Sequence, residues 1–222
     1  LKARRWELVH EDGGILTPIP TPENKTPSLA SIYALSKYDQ EKMCLLVGNA
    51  YGMPAVALRF FNVYGPRQSL SNPYTGVLAI FASRLLNGNP PLINEDGFQM
   101  RDFVSVHDVA QACRLALQVP EAAGKIFNIG SGTRCTIREV ALRMAAALGK
   151  EEIEPRITNK YRVGDIRHCF ADISHARAVL KYKPGVKFEE GIRELAGWLE
   201  RQIALDRGDQ AHAELDARGL TV

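Results

Sequence analysis

A tyrosine and a lysine four residues apart, Tyr33 and Lys37, stand in the run SIYALSKYDQEKMCLLVGNAYG. In a helix this spacing places both side chains on one face, about one turn apart. A phenol beside an ammonium can transfer protons, because the positive charge favours the phenolate that accepts a proton. The same spacing is also found in surface pairs of ordinary helices, so the surrounding sequence must distinguish the two interpretations.

The pair lies in the first half of a predicted long helix that has Ser28 or Ser31 as its N-cap and ends at Gly52. Both serines are interpreted as caps and not as catalytic groups. A nearly all-apolar strand follows at about 55–60, as expected of a parallel strand covered on both faces. One face of the helix is predicted to be buried through the apolar residues Met43, Leu46, Val47 and Ala50.

Strand and helix patterns alternate through the rest of the chain. A helix is predicted at about 75–86, an edge strand in NPPLI, and strand-to-helix transitions in RDFVSVHDVAQACRLALQ and after KIFNIGSG. Thr136 and Glu139 have capping-box spacing, and Ser174 is predicted to open a short helix. Residues after about Ile203 are charged and aperiodic, so we expect them to fray. The alternation predicts an α/β layered architecture.

The composition is that of an ordinary soluble globular protein, with 222 residues, 45% hydrophobic residues and a net charge of +3. No block of basic residues interleaved with aromatics is present, which argues against a nucleic-acid partner. No apolar run is long enough to cross a bilayer, so no membrane association is expected. Four widely separated cysteines without a C-x-x-C pair indicate reduced thiols in a cytoplasmic protein and no metal site. They are Cys44, Cys113, Cys135 and Cys169.

The Tyr-x-x-x-Lys helix, the strand VALRFFN and the loop NVYGPRQ together resemble the extended short-chain dehydrogenase/reductase family, specifically its NAD-dependent nucleotide-sugar epimerases and dehydratases. The resemblance extends from about Pro20 to about Gln202. It implies that 1–64 is the C-terminal part of a doubly wound Rossmann-type NAD-binding domain. It also implies that 65–203 is mainly a smaller α/β nucleotide-sugar-binding lobe with segments returning to the Rossmann domain, and we expect 204–222 to be a charged tail.

The resemblance assigns roles to the residues that match the family's motifs. Tyr33 would take the proton of a sugar hydroxyl, and Lys37 would bind the nicotinamide ribose and stabilise the phenolate. Phe60 and Phe61 would place backbone near the nicotinamide, although both could also be plain core residues. Asn62 would lie near the sugar diphosphate, at the carboxyl end of a strand where open α/β sheets form their ligand crevice.

Two arginines match the family positions that supply paired donors to the diphosphate, Arg101 in RDFVSVHD and Arg162 in YRVGDIRHCFAD. Asp102 is expected to orient Arg101. Asp108 is expected to cap the following helix, and Ser105 stands where the family usually has histidine, so no role is assigned to it. For Asp165 and Asp172 the expected roles are turn formation and helix capping.

The runs RQSLSNPYTGVLAIFASRLLNG and GDIRHCFADIS are most similar to nucleotide-sugar 4-epimerases, particularly those acting on thymidine diphosphate sugars. The implied activity is NAD-dependent epimerisation at C4 through a 4-keto sugar. A sugar 4,6-dehydratase is the alternative, because the residues that separate the two reactions would lie upstream of this sequence. A noncatalytic binding or scaffold protein that retains the fold is the alternative from another class.

The glycine-rich turn with which this family holds the dinucleotide pyrophosphate does not occur in the sequence. We therefore expect the chain to be the C-terminal portion of a longer enzyme, and to be inactive alone. In complete members of the family, two long helices of each subunit form the dimer interface, one of them bearing the Tyr-x-x-x-Lys pair. A homodimer is accordingly the expected assembly.

Overall fold

The computed structural model describes residues 6–68, 76–202 and 208–221. Helices alternate with short, mostly parallel sheets, which confirms the predicted α/β class. The α-helices are α1 (Ile32–Ala50), α2 (Val77–Leu86), α3 (Val106–Gln118), α4 (Ile137–Ala147), α5 (Ser174–Val179), α6 (Phe188–Leu199) and α7 (Gly208–Ala217), with a 3-10 turn at Pro120–Ala122. The strands are β1 (Ala57–Phe60), β2 (Asn62–Tyr64), β3 (Leu92–Ile93), β4 (Met100–Arg101), β5 (Phe103–Ser105), β6 (Ile126–Ile129), β7 (Cys135–Thr136), β8 (Arg156–Ile157) and β9 (His168–Cys169).

Caps predicted from the sequence explain where two of the helices begin. The Ser31 hydroxyl accepts a hydrogen bond from the amide of Ala34 at 3.1 Å and so caps α1. At the start of α4, the Thr136 hydroxyl accepts from the amide of Glu139 at 3.2 Å, and the Glu139 carboxylate accepts from the amide of Thr136 at 2.8 Å. The predicted capping box is therefore confirmed.

Two parallel strand pairs bring the end of β1 close to β5. Strand β1 pairs with β6 over its whole length, and the amide of Phe61 continues this ladder by donating to the carbonyl of Ile129 at 3.0 Å. The chain then changes partner, because the amide of Asn62 donates to the carbonyl of Asp102 at 3.0 Å and β2 pairs with β5. The carboxyl end of β1 therefore adjoins the segment that contains Arg101 and Asp102.

A three-stranded sheet has β4 at its centre, with β7 antiparallel on one side and β9 parallel on the other. In this sheet Arg101 is in register with Cys135 and with Cys169. The predicted strand in NPPLI forms as β3, which pairs with β8 alone among the described strands. These pairings connect the loop between β8 and β9 to the rest of the fold at both of its ends.

Two hydrophobic clusters form the interior. The first packs α2, α4 and α6 together, and the second packs β6 against α3 and α5. Strand β5 contributes to both clusters, because Phe103 belongs to the first and Val104 to the second. The domain boundary near residue 64 remains a prediction. The largest fully buried side chains include Phe81, Leu85, Met144, Leu195 and Leu199 of the first cluster, and Phe127, Ile129, Leu180 and Tyr182 of the second.

The predicted buried stripe of α1 is wrong. Met43 is 57% exposed, Leu46 is 68% exposed and Val47 is 45% exposed. The helix instead packs through Gly48, where an added Cβ would stand 2.6 Å from the Cβ of Ala55. A glycine at this contact lets the backbones approach closely, and the apolar residues Met43, Leu46 and Val47 face solvent.

Within the segment 204–222, expected to be a frayed tail, Gly208–Ala217 forms α7. Its Asp209 carboxylate lies 3.1 Å from Arg84, and its Asp216 carboxylate lies 2.7 Å from Lys160. Thr221 then forms an antiparallel bridge with Arg162. These contacts join segments far apart in the sequence, which helical periodicity alone does not reveal.

Three smaller observations complete the description of the chain. The predicted start of the second helix, at residue 75, lies outside the described residues, and α2 begins at Val77. Within the described ranges, no helix combines the length and the apolar character that a membrane span requires. All four cysteines are free thiols.

Candidate active site

The Tyr33 and Lys37 side chains lie together on an open face at the start of α1. Tyr33 is 72% exposed, and Lys37 is exposed as well. The Lys37 ammonium lies 5.8 Å from the centre of the Tyr33 ring, and it also donates to the Gln40 amide oxygen at 3.3 Å. The predicted helical juxtaposition of phenol and ammonium is therefore present, and both groups are accessible to a ligand.

An ion pair that sequence reasoning did not identify connects this helix to β1. The Arg59 guanidinium donates to both carboxylate oxygens of Glu41, at 2.7 and 2.9 Å, and to the carbonyl of Glu23 at 2.9 Å. The hydrogen bonds from Arg59 lower the pKa of Glu41. Because Glu41 lies one helical turn beyond Lys37, this pair determines where the Tyr33 and Lys37 face lies relative to β1.

The strand residues predicted to approach the cofactor and the diphosphate lie at the carboxyl end of β1 and the start of β2. Phe60 is 47% exposed, so it is not a core residue. Phe61 is half-buried against the second cluster. Asn62 is half-buried, and the hydrogen bond from its backbone amide to the Asp102 carbonyl places it beside the segment that contains Arg101.

Arg101 is held by the loop that precedes β9. Its guanidinium donates to the carbonyls of Met100 and Arg167, both at 2.9 Å, and to the carbonyl of Ile166. It also donates to the Asp165 carboxylate at 3.1 Å. The side chain is 14% exposed, so Arg101 meets solvent at one edge of this loop.

Arg162 lies on the same loop and is exposed. Its backbone is fixed by the bridge to Thr221, and the next amide, that of Val163, donates to the carbonyl of Leu220 at 2.9 Å. Arg101 therefore contacts the loop that carries Arg162. The Tyr33 and Lys37 pair lies on a separate element and is connected to this region through β1.

Asp102 does not orient Arg101, which corrects the expectation from the sequence. Its carboxylate accepts from the amide and hydroxyl of Ser131, both at 2.7 Å, from the amide of Gly132 at 3.1 Å and from the amide of Ala171 at 3.3 Å. Burial raises the pKa of Asp102 in spite of these hydrogen bonds. The residue fastens the loop after β6 to the segment after β9.

The roles of the two neighbouring polar residues, Ser105 and Asp108, also differ from those expected. Ser105, to which no role was assigned, is the N-cap of α3 and accepts from the amide of His107 at 3.2 Å. Asp108, predicted to cap that helix, instead accepts from the amides of Gly185 at 2.7 Å and Val186 at 3.2 Å. At Asp108, partners on a distant segment have replaced the local one that spacing suggested.

The two aspartates of the loop and the following turn have local partners. The Asp165 carboxylate accepts from the amide of Ile166 at 2.8 Å in addition to its contact with Arg101. Asp172 accepts from the amide of Ser174 at 2.9 Å, and hydrogen bonds from the Ser174 side chain and amide lower its pKa. This contact forms the turn that precedes α5, as expected, but the N-cap of the helix is Ile173, which makes no side-chain cap bond.

A charged network beside Arg101 was missed from the sequence. The Arg167 guanidinium donates to carboxylates of Glu7, Glu95 and Asp96, and its side chain is 10% exposed. His168 joins the network by a 2.8 Å contact with Glu7. The adjacent pair Glu95 and Asp96 in a turn was the available signal, but their partner is 71 residues from Asp96.

Among the residues the structure describes, no group of three or more His, Cys, Asp or Glu side chains has an arrangement suited to a metal ion. Burial raises the pKa of the Cys135 thiol and of the Cys169 thiol, which flank Arg101 in the three-stranded sheet. Protonated thiols are poor nucleophiles, so these two cysteines are not candidates for nucleophilic chemistry.

The fold, with its Tyr-x-x-x-Lys helix, is of the Rossmann type found in solved epimerase structures. Residues 14–130 match the family described as NAD dependent epimerase/dehydratase, and the chain belongs to this family. The resemblance predicted from the sequence is thereby confirmed.

Individual relatives agree with this assignment. The dTDP-L-rhamnose 4-epimerase of Burkholderia thailandensis is 37% identical over 205 residues, which cover 91% of this chain and 54% of that protein. The crystal structure of UDP-glucose 4-epimerase from Thermotoga maritima with UDP-glucose is 34% identical, with a TM-score of 0.75, over 84% of this chain and 59% of that one. The structure of the Thermus thermophilus UDP-glucose 4-epimerase complex with NAD is 33% identical, with a TM-score of 0.68, over 83% of this chain and 60% of that one. The chain therefore spans somewhat more than half the length of these relatives.

Proposed function

We propose that this protein acts in the NAD-dependent epimerisation of a nucleotide-diphosphate sugar at C4. The observation that carries the proposal is the exposed Tyr33 and Lys37 pair on α1, in a chain that belongs to the epimerase/dehydratase family. The proposal concerns the complete protein, because this chain corresponds to 54% of the length of its dTDP-L-rhamnose 4-epimerase relative.

Tyr33, as its phenolate, is the proposed acceptor for the proton of the C4 hydroxyl, and Lys37 stabilises that phenolate before the proton is transferred. Loss of the hydroxyl proton to Tyr33 accompanies loss of hydride from C4, which leaves a 4-keto sugar. When bound, NAD supplies the acceptor for that hydride and the source from which it returns to the opposite face of C4. Tyr33 then returns its proton to the oxygen, so the reaction inverts C4 with no net oxidation.

The residues present fit the nicotinamide end of the cofactor. The Lys37 ammonium has three N–H donors, and its side-chain bond to Gln40, at 3.3 Å, leaves donors for the ribose hydroxyls. Phe60, 47% exposed at the carboxyl end of β1, offers apolar surface to a nicotinamide ring. The sequence has no G-x-G-x-x-G turn for the pyrophosphate, so these residues account for one end of the cofactor only.

Arg101, Arg162 and Asn62 are the proposed ligands of the sugar-nucleotide diphosphate. Arginine suits this role because its permanently charged guanidinium donates strong hydrogen bonds to phosphate oxygens. Support comes from the loop that carries Arg162 and contacts Arg101. It also comes from the backbone amide of Asn62, which donates to the carbonyl of Asp102, the residue after Arg101. We propose a thymidine diphosphate sugar as the substrate, in accord with the dTDP-L-rhamnose 4-epimerase relative.

Two further properties belong to the same proposal. A homodimer with α1 in its interface would cover the exposed apolar residues Met43, Leu46 and Val47. A cytoplasmic location suits the free thiols, since secreted proteins more often pair their cysteines.

The proposal is tested by assaying the complete protein with dTDP-sugars and UDP-sugars and resolving the C4 epimers by chromatography. The Tyr33→Phe variant should lose about 100-fold to 10,000-fold in kcat, because it keeps the ring and removes the proton acceptor. Tyr51→Phe is the matched control, since Tyr51 is 77% exposed at the other end of the same helix. This control should retain the wild-type rate.

The same assay distinguishes the alternatives. A product lighter by one water, measured by mass spectrometry, would indicate a 4,6-dehydratase and overturn epimerisation. A complete protein that neither binds NAD nor changes any nucleotide sugar would indicate the noncatalytic alternative. Full activity in Tyr33→Phe would show that the proton acceptor is another residue.

A further inference from the structure

The orientation of the Arg101 guanidinium depends on a few backbone atoms of one loop. Three of its acceptors are carbonyl oxygens, and two of these belong to the consecutive residues Ile166 and Arg167. A guanidinium has five N–H donors, and four bonds to the protein leave it little freedom to rotate. Whatever fixes Ile166 and Arg167 therefore also fixes the direction in which Arg101 can donate to a ligand.

The Arg167 side chain is what fixes this part of the loop. It donates to Glu95 at 2.6 Å, to the two oxygens of Asp96 at 2.7 and 3.0 Å, and to Glu7 at 3.1 Å. These carboxylates come from two separate segments, the start of the described chain and the turn between β3 and β4. One side chain thus fastens the loop to two other parts of the fold.

Attraction between Arg167 and the surrounding carboxylates stabilises this position of the loop. Three carboxylates, each partly buried, surround a single guanidinium. Burial would raise the pKa of Asp96 and of Glu7, but hydrogen bonds outweigh it and lower both values, from Arg167 at Asp96 and from His168 and then Arg167 at Glu7. Loss of the Arg167 fork would leave like charges close together, so we expect the loop to move away from its present position.

We propose that Arg167 is a positioning residue for the diphosphate site, which acts by holding the loop carbonyls that orient Arg101. The side chain of Arg167 is anchored by the carboxylates, while its carbonyl accepts from Arg101 at 2.9 Å. Arg167 therefore links the carboxylate network directly to Arg101, the proposed phosphate donor. The inference rests on the proposed function, because it assigns Arg101 to a diphosphate.

A double-mutant cycle on nucleotide binding tests the inference. The probes are dTDP and UDP, titrated calorimetrically into the complete protein well below its unfolding temperature. Arg101→Gln should weaken binding by about 10-fold to 100-fold, as expected for loss of charge-assisted hydrogen bonds. Arg167→Lys keeps the charge but removes the fork, and should weaken binding by about 10-fold. If Arg167 acts through Arg101, the double variant should bind no more weakly than Arg101→Gln alone.

Arg143→Lys is the matched control, because Arg143 forms a 2.6 Å ion pair with Glu189 in the contact between α4 and α6. This substitution should leave nucleotide affinity unchanged. If Arg167→Lys does not fold, Asp96→Asn removes one anchoring carboxylate instead, and the same non-additivity with Arg101→Gln is expected with a smaller loss of affinity.

Three results would overturn the inference in distinguishable ways. Wild-type affinity in Arg167→Lys would show that the network does not influence the phosphate donor. Additive losses in the double variant would show that Arg167 acts independently of Arg101. If the wild-type protein binds neither dTDP nor UDP, the proposed nucleotide-sugar function itself is wrong, and the positioning role is wrong with it.

Discussion

Asp102 shows how much of this site depends on a single carboxylate. It is fully buried, and it accepts from three backbone amides and one hydroxyl. Gly130 packs so closely that an added Cβ would stand 2.5 Å from an oxygen of Asp102. These four donors converge on one carboxylate, so Asp102 organises the end of β6.

Asp102→Ala should lower the free energy of unfolding by about 3 kcal/mol, because buried amide donors are left without acceptors. Asp102→Asn should cost less. Burial raises the pKa of Asp102, so the folded protein favours the protonated carboxyl. The free energy of unfolding should therefore increase as the pH falls from this raised pKa towards the ordinary value of 3.8. Urea unfolding between pH 7 and pH 4 measures both effects.

The control for this prediction is Asp12→Ala, since the Asp12 side chain is 75% exposed. It should change stability by less than about 0.5 kcal/mol. A loss below about 1 kcal/mol in Asp102→Ala would contradict the structural role assigned to that carboxylate.

At the scale of elements, the placement of α1 determines where the Tyr33 and Lys37 pair lies relative to β1. The helix contacts the described chain through Gly48 and through the ion pair of Glu41 with Arg59. The ion pair is bidentate, and its Glu41 side chain is 10% exposed, so it should contribute more than an ordinary surface pair. The candidate catalytic face is thus fixed by residues that do no chemistry themselves.

Glu41→Gln should lower the free energy of unfolding by about 1 kcal/mol at pH 7. The pKa of Glu41 is lowered by Arg59, so its contribution is present above the ordinary value of 4.5 and is lost as the pH falls through the lowered pKa. The difference between wild type and Glu41→Gln should therefore shrink in acid, as measured by urea unfolding at pH 7 and pH 3. A difference that stays constant with pH would show that the ion pair does not stabilise the helix.

For the whole molecule, the main feature is an apolar surface that the described residues leave uncovered. Leu35 and Val47 are each 45% exposed and Leu46 is 68% exposed, all on α1. Exposed apolar residues that cluster on one helix are typical of protein contacts. The homodimer proposed above would bury this face in a symmetric interface.

Leu46→Glu should convert the dimer of the complete protein to a monomer, because a charge would be buried at the interface. Leu117→Glu is the matched control, since Leu117 is 89% exposed on α3 and should tolerate the same change without loss of the dimer. Light scattering coupled to size exclusion measures the mass of each variant. A monomeric wild-type protein, or a dimeric Leu46→Glu variant, would exclude α1 as the interface.

Local features of the site followed from the sequence because their partners lie within one helical turn. The caps at Ser31 and Thr136 and the pairing of Tyr33 with Lys37 depend on the geometry of a single helix. The order of the arginine motifs along the chain was equally accessible. Sequence reasoning failed for the buried stripe of α1, because burial depends on what packs against a helix and not on its own periodicity.

The sequence by itself therefore determined the α/β class and the family, and it supplied the candidate residues for the chemistry. Only the tertiary structure decided which groups hold them in place. Arg167 meets Glu7 across 160 positions and Asp96 across 71, and Asp102 meets Ala171 across 69. Such contacts depend on which strands pair and on how the loops between them close, and neither is encoded in the spacing of neighbouring residues.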